Sequence, residues 1–384
     1  MRTEIRNEWQ QRTAEPSAEA SKGLGVGDEP TQQLARIWRQ LLGVDSIGLD
    51  QNYFDLGGDS ILAVQLFSQI EKVFKVKLPV ATLFEAPTIE ELARVLRQEA
   101  PASRWSPVVP IQPAGSRPPF FCVHGAGGNV LIYRELAQHL GAEQPFFGLQ
   151  CQGLDGNLPP LTKVEDMGAL YAREIRLVRP HGPYLIGGYC GGGTVALEVA
   201  QQLRAMGEEV ALLALFDASN WCKIPRLSIW SKTYQYTERL VFHAASLISL
   251  NQKGRSQFFR EKIKAVRQRI PVWQGMLQAG LGKKSKANES NSRLLREIWT
   301  ANDHACTNYV PQPYPGVITD FRPKKQYRFL DRPDAKWDQL AQAGQEVVTL
   351  PVYPAGILVE PFVEHLAAAL RARIDKVIKR QSSS

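Results

Sequence analysis

The run "PYLIGGY", Pro183 to Tyr189, passes without a spacer into "GGTVALEVAQQL", Gly192 to Leu203. An apolar, β-prone segment thus turns within two residues into an amphipathic helix. A junction that short is geometrically possible only if the backbone between strand and helix is sharply bent, and the residues that make it are Cys190 and its flanking glycines. The same rhythm recurs on both sides of the junction. "FFCVHG", "VLIYRELAQHLG", "QPFFGLQC", "MGALYAREIRLVRP" and "VALLALFD" alternate short apolar runs with helical periods. Such alternation predicts βαβ crossovers and a mostly parallel sheet covered by helices on both faces. After about Asn220 the rhythm breaks, and it resumes in "GVITDFRP", "EVVTLPVY" and a last helix "EPFVEHLAAALRARIDKVI". An interruption at that place reads as a helical lid over about 220–300.

The first hundred residues follow another pattern. Residues 1–29 are polar, with no apolar period, and read as a disordered tether. "TQQLARIWRQLLG", "SILAVQLFSQIEKVF" and "TIEELARVLRQE" then place apolar residues at helical spacing, the first ending at Gly43 and the last capped by Thr88. Three amphipathic helices in so short a span predict a small all-α bundle over 30–99. Proline-punctuated text follows, giving a linker at 100–107 and a second domain over 108–384.

Composition narrows the setting. The N-terminus is charged from its second residue, and no apolar run is long enough to span a bilayer, so a cytoplasmic chain without membrane contact is expected. The five cysteines are scattered and without Cys-x-x-Cys spacing, which argues against a disulfide framework and against a metal site. The net charge of +8 is concentrated between Cys222 and Thr300, with 16 Lys and Arg against 4 Asp and Glu. No helix-turn-helix, zinc-finger or RNP pattern accompanies it, so nucleic acid is not the expected partner. An anionic substrate, or the acidic carrier surface near Asp55 and Asp59, would suit that charge, as would a merely solvated helical face.

Two motifs carry chemistry. In the bundle, "FDLGGDSILAVQL" puts Ser60 at the start of a helix behind two glycines, where it could cap the helix or present its hydroxyl to a phosphodiester favoured by the helix N-terminus. The stretch resembles the peptidyl carrier proteins of nonribosomal peptide synthetases over Leu34 to Leu96. That resemblance implies that Ser60 carries a 4′-phosphopantetheine arm, installed by a phosphopantetheinyl transferase and served by upstream synthetase modules.

In the larger domain, "GYCGG" has the form Gly-x-nucleophile-x-Gly with Cys190 in the central slot, preceded by a strand and followed by a helix. Cys190 could instead be a small buried residue in a tight turn. The neighbouring text favours the nucleophile: "HGAGGN", His124 to Asn129, follows the strand "PFFCV", and its amides could join that of the residue after the nucleophile in an oxyanion hole. Ala126 and Gly191 are the candidate donors. Asp217, 27 residues after Cys190 and at the end of "VALLALFD", is the candidate orienting acid. Together these segments resemble the α/β-hydrolase thioesterase domains that end nonribosomal peptide and polyketide synthases, over Val108 to about Ile374. In that family serine is the usual nucleophile and a minority use cysteine.

The family's histidine, expected just before the last helix, is absent: "PVYPAGILVEPFVEHL" holds none between Val352 and Glu360. Of the six histidines, His304 in "WTANDHACTNY" is the favoured base, with a site that has no histidine base as the next alternative and His124 after it; His139, His181, His243 and His365 are set aside. The implied function is chain-terminating release of a carrier-bound peptidyl thioester through an acyl-Cys190 intermediate. Cysteine-bearing relatives suggest intramolecular cyclisation to a strained lactam or lactone, such as a β-lactam. The alternatives are hydrolytic release of a linear peptide and a catalytically dead hydrolase-fold docking module.

Overall fold

The computed structural model describes residues 28–58, 60–98, 105–218, 286–324, 337–352 and 356–382. The described residues open with the helices α1 (Glu29–Leu42), α2 (Ser60–Phe74), α3 (Thr82–Glu85) and α4 (Ile89–Leu96). Local chemistry sets their ends. Asp28 accepts the Thr31 amide ahead of α1, and Gly43 closes it in the left-handed conformation, φ 68°. Thr88 and Glu91 form a reciprocal capping box at α4. The short α3 was not anticipated by periodicity, since four residues cannot display one.

The apolar stripes of these helices close on Leu34, Trp38, Tyr53, Leu66, Ile70 and Leu92, all fully buried. The Trp38 and Tyr53 rings meet edge to face at 5.2 Å. Burial of each such side chain contributes about 1.5–3 kcal/mol, which works against the conformational entropy of ordering the bundle. Leu131, from beyond the linker, is also buried in this cluster.

The second region is a seven-stranded sheet: β1 (Val108–Gln112), β2 (Phe120–Val123), β3 (Phe146–Leu149), β4 (Tyr184–Tyr189), β5 (Val210–Phe216), β6 (Ile318–Pro323) and β7 (Gln345–Leu350). Their order is β1-β3-β2-β4-β5-β6-β7, parallel throughout except for the β1 edge. Among the described residues the sheet is joined by α5 (Arg134–Leu140), α6 (Val164–Val178), α7 (Gly191–Ala205), α8 (Lys286–Asn308), the short α9 (Trp337–Leu340) and α10 (Val363–Ser382). One face of the sheet packs on α6 and α7, the other on α5 and α10. This is the expected α/β layering, and it places β4 at the centre with its C-terminal tip free to carry a site.

Of the expected lid, 220–285 lie outside the described residues, and with them Cys222 and His243; 286–300 are the first part of α8. Among the described residues no helix is long and apolar enough to cross a membrane.

Candidate active site

The turn between β4 and α7 has the strained backbone its sequence demands. Cys190 sits at φ 55°, ψ −123°, a region unfavourable to any residue with a side chain, and it is half-buried. Its amide donates to the Phe216 carbonyl at 3.0 Å, and its carbonyl accepts the Gly193 amide at 3.1 Å. A Cβ on Gly188 would come within 2.2 Å of the Gly192 carbonyl oxygen, and one on Gly192 within 2.2 Å of the His124 carbonyl oxygen. Both are backbone atoms that cannot step aside, so both glycines are obligatory.

The second of those contacts brings the 124–129 loop against the elbow. Gly128, at φ 78°, turns it back with its amide on the Gly125 carbonyl at 3.0 Å. His124 anchors the loop from below. It is buried, its Nδ1 lies 2.7 Å from the Gly125 carbonyl and its Nε2 2.9 Å from the Tyr171 hydroxyl. Burial depresses its pKa to about 4, so the ring is neutral and donates from Nδ1. The Tyr171 hydroxyl also donates to the Gln150 carbonyl at 3.1 Å, so His124 and Tyr171 together tie the loop to the end of β3.

Asp217 follows the tip of β5, also in the left-handed region at φ 44°, with its amide on the Phe321 carbonyl at 2.8 Å. Because Cys190 is bonded to the residue that precedes Asp217, the two stand on adjacent strand tips. A second carboxylate, which no motif revealed, lies next to it. Asp320 on β6 is fully buried; Oδ2 takes Arg322 Nε at 2.5 Å and Gln345 Nε2 at 3.0 Å, while Oδ1 has no hydrogen-bond partner among the described residues. Burial first, and then the charge of Asp217, push its pKa up to about 6 against the opposing pull of Arg322.

The structure does not bring His304 to this site. Helix α8 passes the elbow as anticipated, but it turns Asn302, Ala305, Cys306 and Tyr309 inward. His304 is two residues from both Asn302 and Cys306, about 200° around the helix, on the exposed face. The expectation that its helix would aim it at the nucleophile overlooked this phase. His139 is paired with Glu360 at 2.7 Å, and His181 and His365 are exposed. Replacing His304 by alanine is therefore expected to leave acyl transfer within about threefold of the unmodified chain, in contrast to the 10²-fold or larger loss that removal of a general base causes. Steady-state turnover of the single variant checks this, and a loss of the larger size would restore His304 to the base role.

The carrier end of the site is built similarly. Gly57 sits at φ 88°, and a Cβ on Gly58 would enter the Tyr53 ring at 2.3 Å, so this loop reaches Ser60, the first residue of α2, only with glycine at both places. The arrangement fits a phosphopantetheine arm: a tight glycine loop delivers a serine to a helix start whose first amides have no partner within the helix. Val64, Phe67, Ser68 and Glu71 of α2 line a crevice against Leu131 and Leu154.

Arg134 ties the two regions together. Its guanidinium lies 4.5 Å over the Phe54 ring and 3.2 Å from Asp55, both in the loop that leads to Ser60. Among the described residues Asp55 pairs with Arg134 of α5; most of the basic segment, for which the acidic surface near Asp55 and Asp59 was one candidate partner, lies outside the described residues. Asp55 is well exposed and Arg134 largely covered, so the stacking and the coverage count for more than the ion pair. Arg134→Glu is expected to slow transfer from the carrier about tenfold while leaving turnover of a small soluble thioester unchanged, which comparison of the two substrates would check.

Comparison with known proteins accords with this arrangement. Residues 32–96 match the phosphopantetheine attachment site family, and residues 118–276 match the thioesterase domain family. The chain is a carrier domain followed by a thioesterase domain. It is 40% identical over 202 residues to a dimodular nonribosomal peptide synthase of Bacillus subtilis (strain 168), covering 52% of this chain and 8% of that one. It is 42% identical over 188 residues to malpibaldin synthetase of Mortierella alpina, covering 48% of this chain and 3% of that one. The chain thus spans less than a tenth of the length of these two curated relatives. Among solved structures, a four-domain nonribosomal peptide synthetase in its holo form, bound to AMP and glycine, aligns over 94% of this chain and 27% of its own length, with a TM-score of 0.55 and 25% identity. The phosphopantetheine attachment domain and the thioesterase domain are therefore the two units that this fold places side by side.

Four residues around the thioesterase site escaped the motif reading: Tyr171, Asn302, Cys306 and Asp320. Asn302 and Cys306 did carry a signal, since they share the spacing of Ala305 and Tyr309 in an otherwise polar helix.

Proposed function

We propose that this chain releases a carrier-borne acyl or peptidyl chain by way of an acyl-Cys190 thioester. The observation that carries the reading is the backbone of Cys190. A non-glycine residue is held at φ 55° between glycines that admit no side chain, at the start of a helix, where strain is maintained for a reacting group and a thiolate is favoured.

Ser60 is the attachment point for phosphopantetheine, which supplies a flexible thiol on which the substrate rides as a thioester. Cys190 Sγ, as thiolate, adds to the substrate carbonyl; the Ala126 and Gly191 amides hold the oxygen's negative charge; the carrier's thiol leaves and takes up a proton. None of the described histidines faces the elbow, and a thiol needs a base less than an alcohol does, because a fraction of it is ionised near neutrality. Asp217 stands beside the nucleophile as the acid that would orient a base or an incoming nucleophile.

Release then requires a second nucleophile. Acyl transfer between two thiols conserves the activation of the thioester, which transfer to a serine hydroxyl would dissipate. That conserved activation favours an internal amine or hydroxyl closing a strained ring over plain hydrolysis. Loading Ser60 with a peptidyl arm that bears such a nucleophile, and weighing the product, tests the choice: loss of the chain's mass without addition of water marks cyclisation, and the water adduct alone defeats it.

A further inference from the structure

Helix α8 runs along the oxyanion loop and the elbow in register. A Cβ on Gly128 would lie 2.9 Å from Ile298 Cγ2, and one on Gly127 would lie 3.5 Å from Trp299 Nε1. One turn further, Asn302 Nδ2 donates to the Ala126 carbonyl at 3.0 Å. Another turn on, the Cys306 thiol donates to the Gly191 carbonyl at 3.6 Å. Asn302 and Cys306 are both buried and four residues apart, hence on one side of the helix. The residues they hold are the two that supply the oxyanion amides. We infer that Asn302 and Cys306 are positioning residues that set the oxyanion hole from a single helical turn.

The inference rests on the assignment of Ala126 and Gly191 as donors, and it explains a difficulty in that assignment. Ala126 lies between Gly125 and Gly127, in a loop with high backbone freedom, and Gly191 opens α7 ahead of two further glycines, where the helix holds it on one side only. An oxyanion hole stabilises charge only if its N–H groups are already aimed before charge develops. Each clamped carbonyl fixes a peptide plane, Ala126–Gly127 in one case and Gly191–Gly192 in the other, and with it the Cα on which the donor amide is carried.

Both clamps have a defined donor. Asn302 Oδ1 takes the Cys151 thiol at 3.7 Å, which leaves Nδ2 for Ala126. Burial first, with Cys190 and Asp303 adding to it, pushes the Cys306 thiol up to about 12, so it keeps its proton and can donate. Cys306 is thus a neutral thiol beside the nucleophile, unsuited to attack and suited to holding a carbonyl.

The test compares catalysis with access to Cys190 in the full chain. Turnover of a small soluble acyl thioester gives kcat and KM, and the rate of Cys190 alkylation by iodoacetamide, read by peptide mass, reports the thiolate independently of the hole. Asn302→Leu keeps the size and removes the donor. It is expected to lower kcat about 10–100-fold, with KM and the alkylation rate each within about twofold. Cys306→Ala is expected to lower kcat about 3–10-fold and Cys306→Ser to recover most of it, because the hydroxyl restores a donor. Unchanged kcat in both Asn302→Leu and Cys306→Ala would overturn the inference. So would a parallel fall of kcat and alkylation, which would mean that these residues merely hold the elbow's fold. Failure of the underlying reading looks different: turnover would survive complete alkylation of Cys190.

Discussion

Cys190→Ala is expected to abolish product release, lowering turnover roughly 10³- to 10⁶-fold, while the carrier remains fully loadable. The methyl group of alanine occupies the space of the cysteine Cβ, so the strained turn and its bonds to Phe216 and Gly193 can persist without the sulfur. The loss should therefore be chemical, not structural. Intact-protein mass after loading with an acyl chain separates the two, since the variant should hold its cargo indefinitely on the carrier and never on the thioesterase domain. Cys190→Ser sharpens the experiment. An alcohol is a poor nucleophile without a base to take its proton, and none of the described histidines faces the elbow, so the serine variant should also lose most activity. Near-full activity in that variant would reveal a competent base beside Cys190. Release at the wild-type rate from Cys190→Ala would remove the covalent intermediate altogether.

Ser60→Ala is expected to eliminate attachment of phosphopantetheine and, with it, all transfer from the carrier. The variant changes one hydroxyl at the first position of α2, behind a loop whose geometry depends on Gly57 and Gly58, not on Ser60. Loss of a capping hydroxyl costs about 1 kcal/mol at most helix starts, small beside the burial of Leu66, Ile70, Leu83 and Leu92, so the bundle should keep its fold. Mass spectrometry after incubation with a phosphopantetheinyl transferase and coenzyme A reads the outcome directly. A mass gain equal to that of the unmodified chain would move the attachment site elsewhere. Turnover of a soluble thioester should be untouched, because Cys190 does not need the carrier to meet a diffusing substrate.

These two serial losses describe a division of labour along the chain, and the division was legible early. The glycine spacing around Cys190 and ahead of Ser60 marked both positions because Gly188 and Gly58 answer local demands: a Cβ at either would collide with a near neighbour in the chain, Gly192 and Tyr53 respectively. The helical period of the bundle and the alternation of the sheet region are likewise local signals, and they led to the carrier-then-hydrolase order that the strands and helices display.

What the tertiary structure alone decided is how distant segments face one another. The sequence placed His304 on a helix near the elbow, but only packing chose its phase: Asn302 and Cys306 turn to the loop at Ala126 and to Gly191, and His304 turns out. Asp320 read as an ordinary strand residue until the β5 and β6 register set it beside Asp217 in a buried place. Arg134 was one more charge on a helix until it met Phe54 and Asp55 from across the linker. Each of these joins residues roughly eighty or more positions apart, or depends on which side of an element meets its neighbour. A motif records what the backbone needs within a turn; the choice of face is made by the whole core, where burial of one stripe excludes all the others.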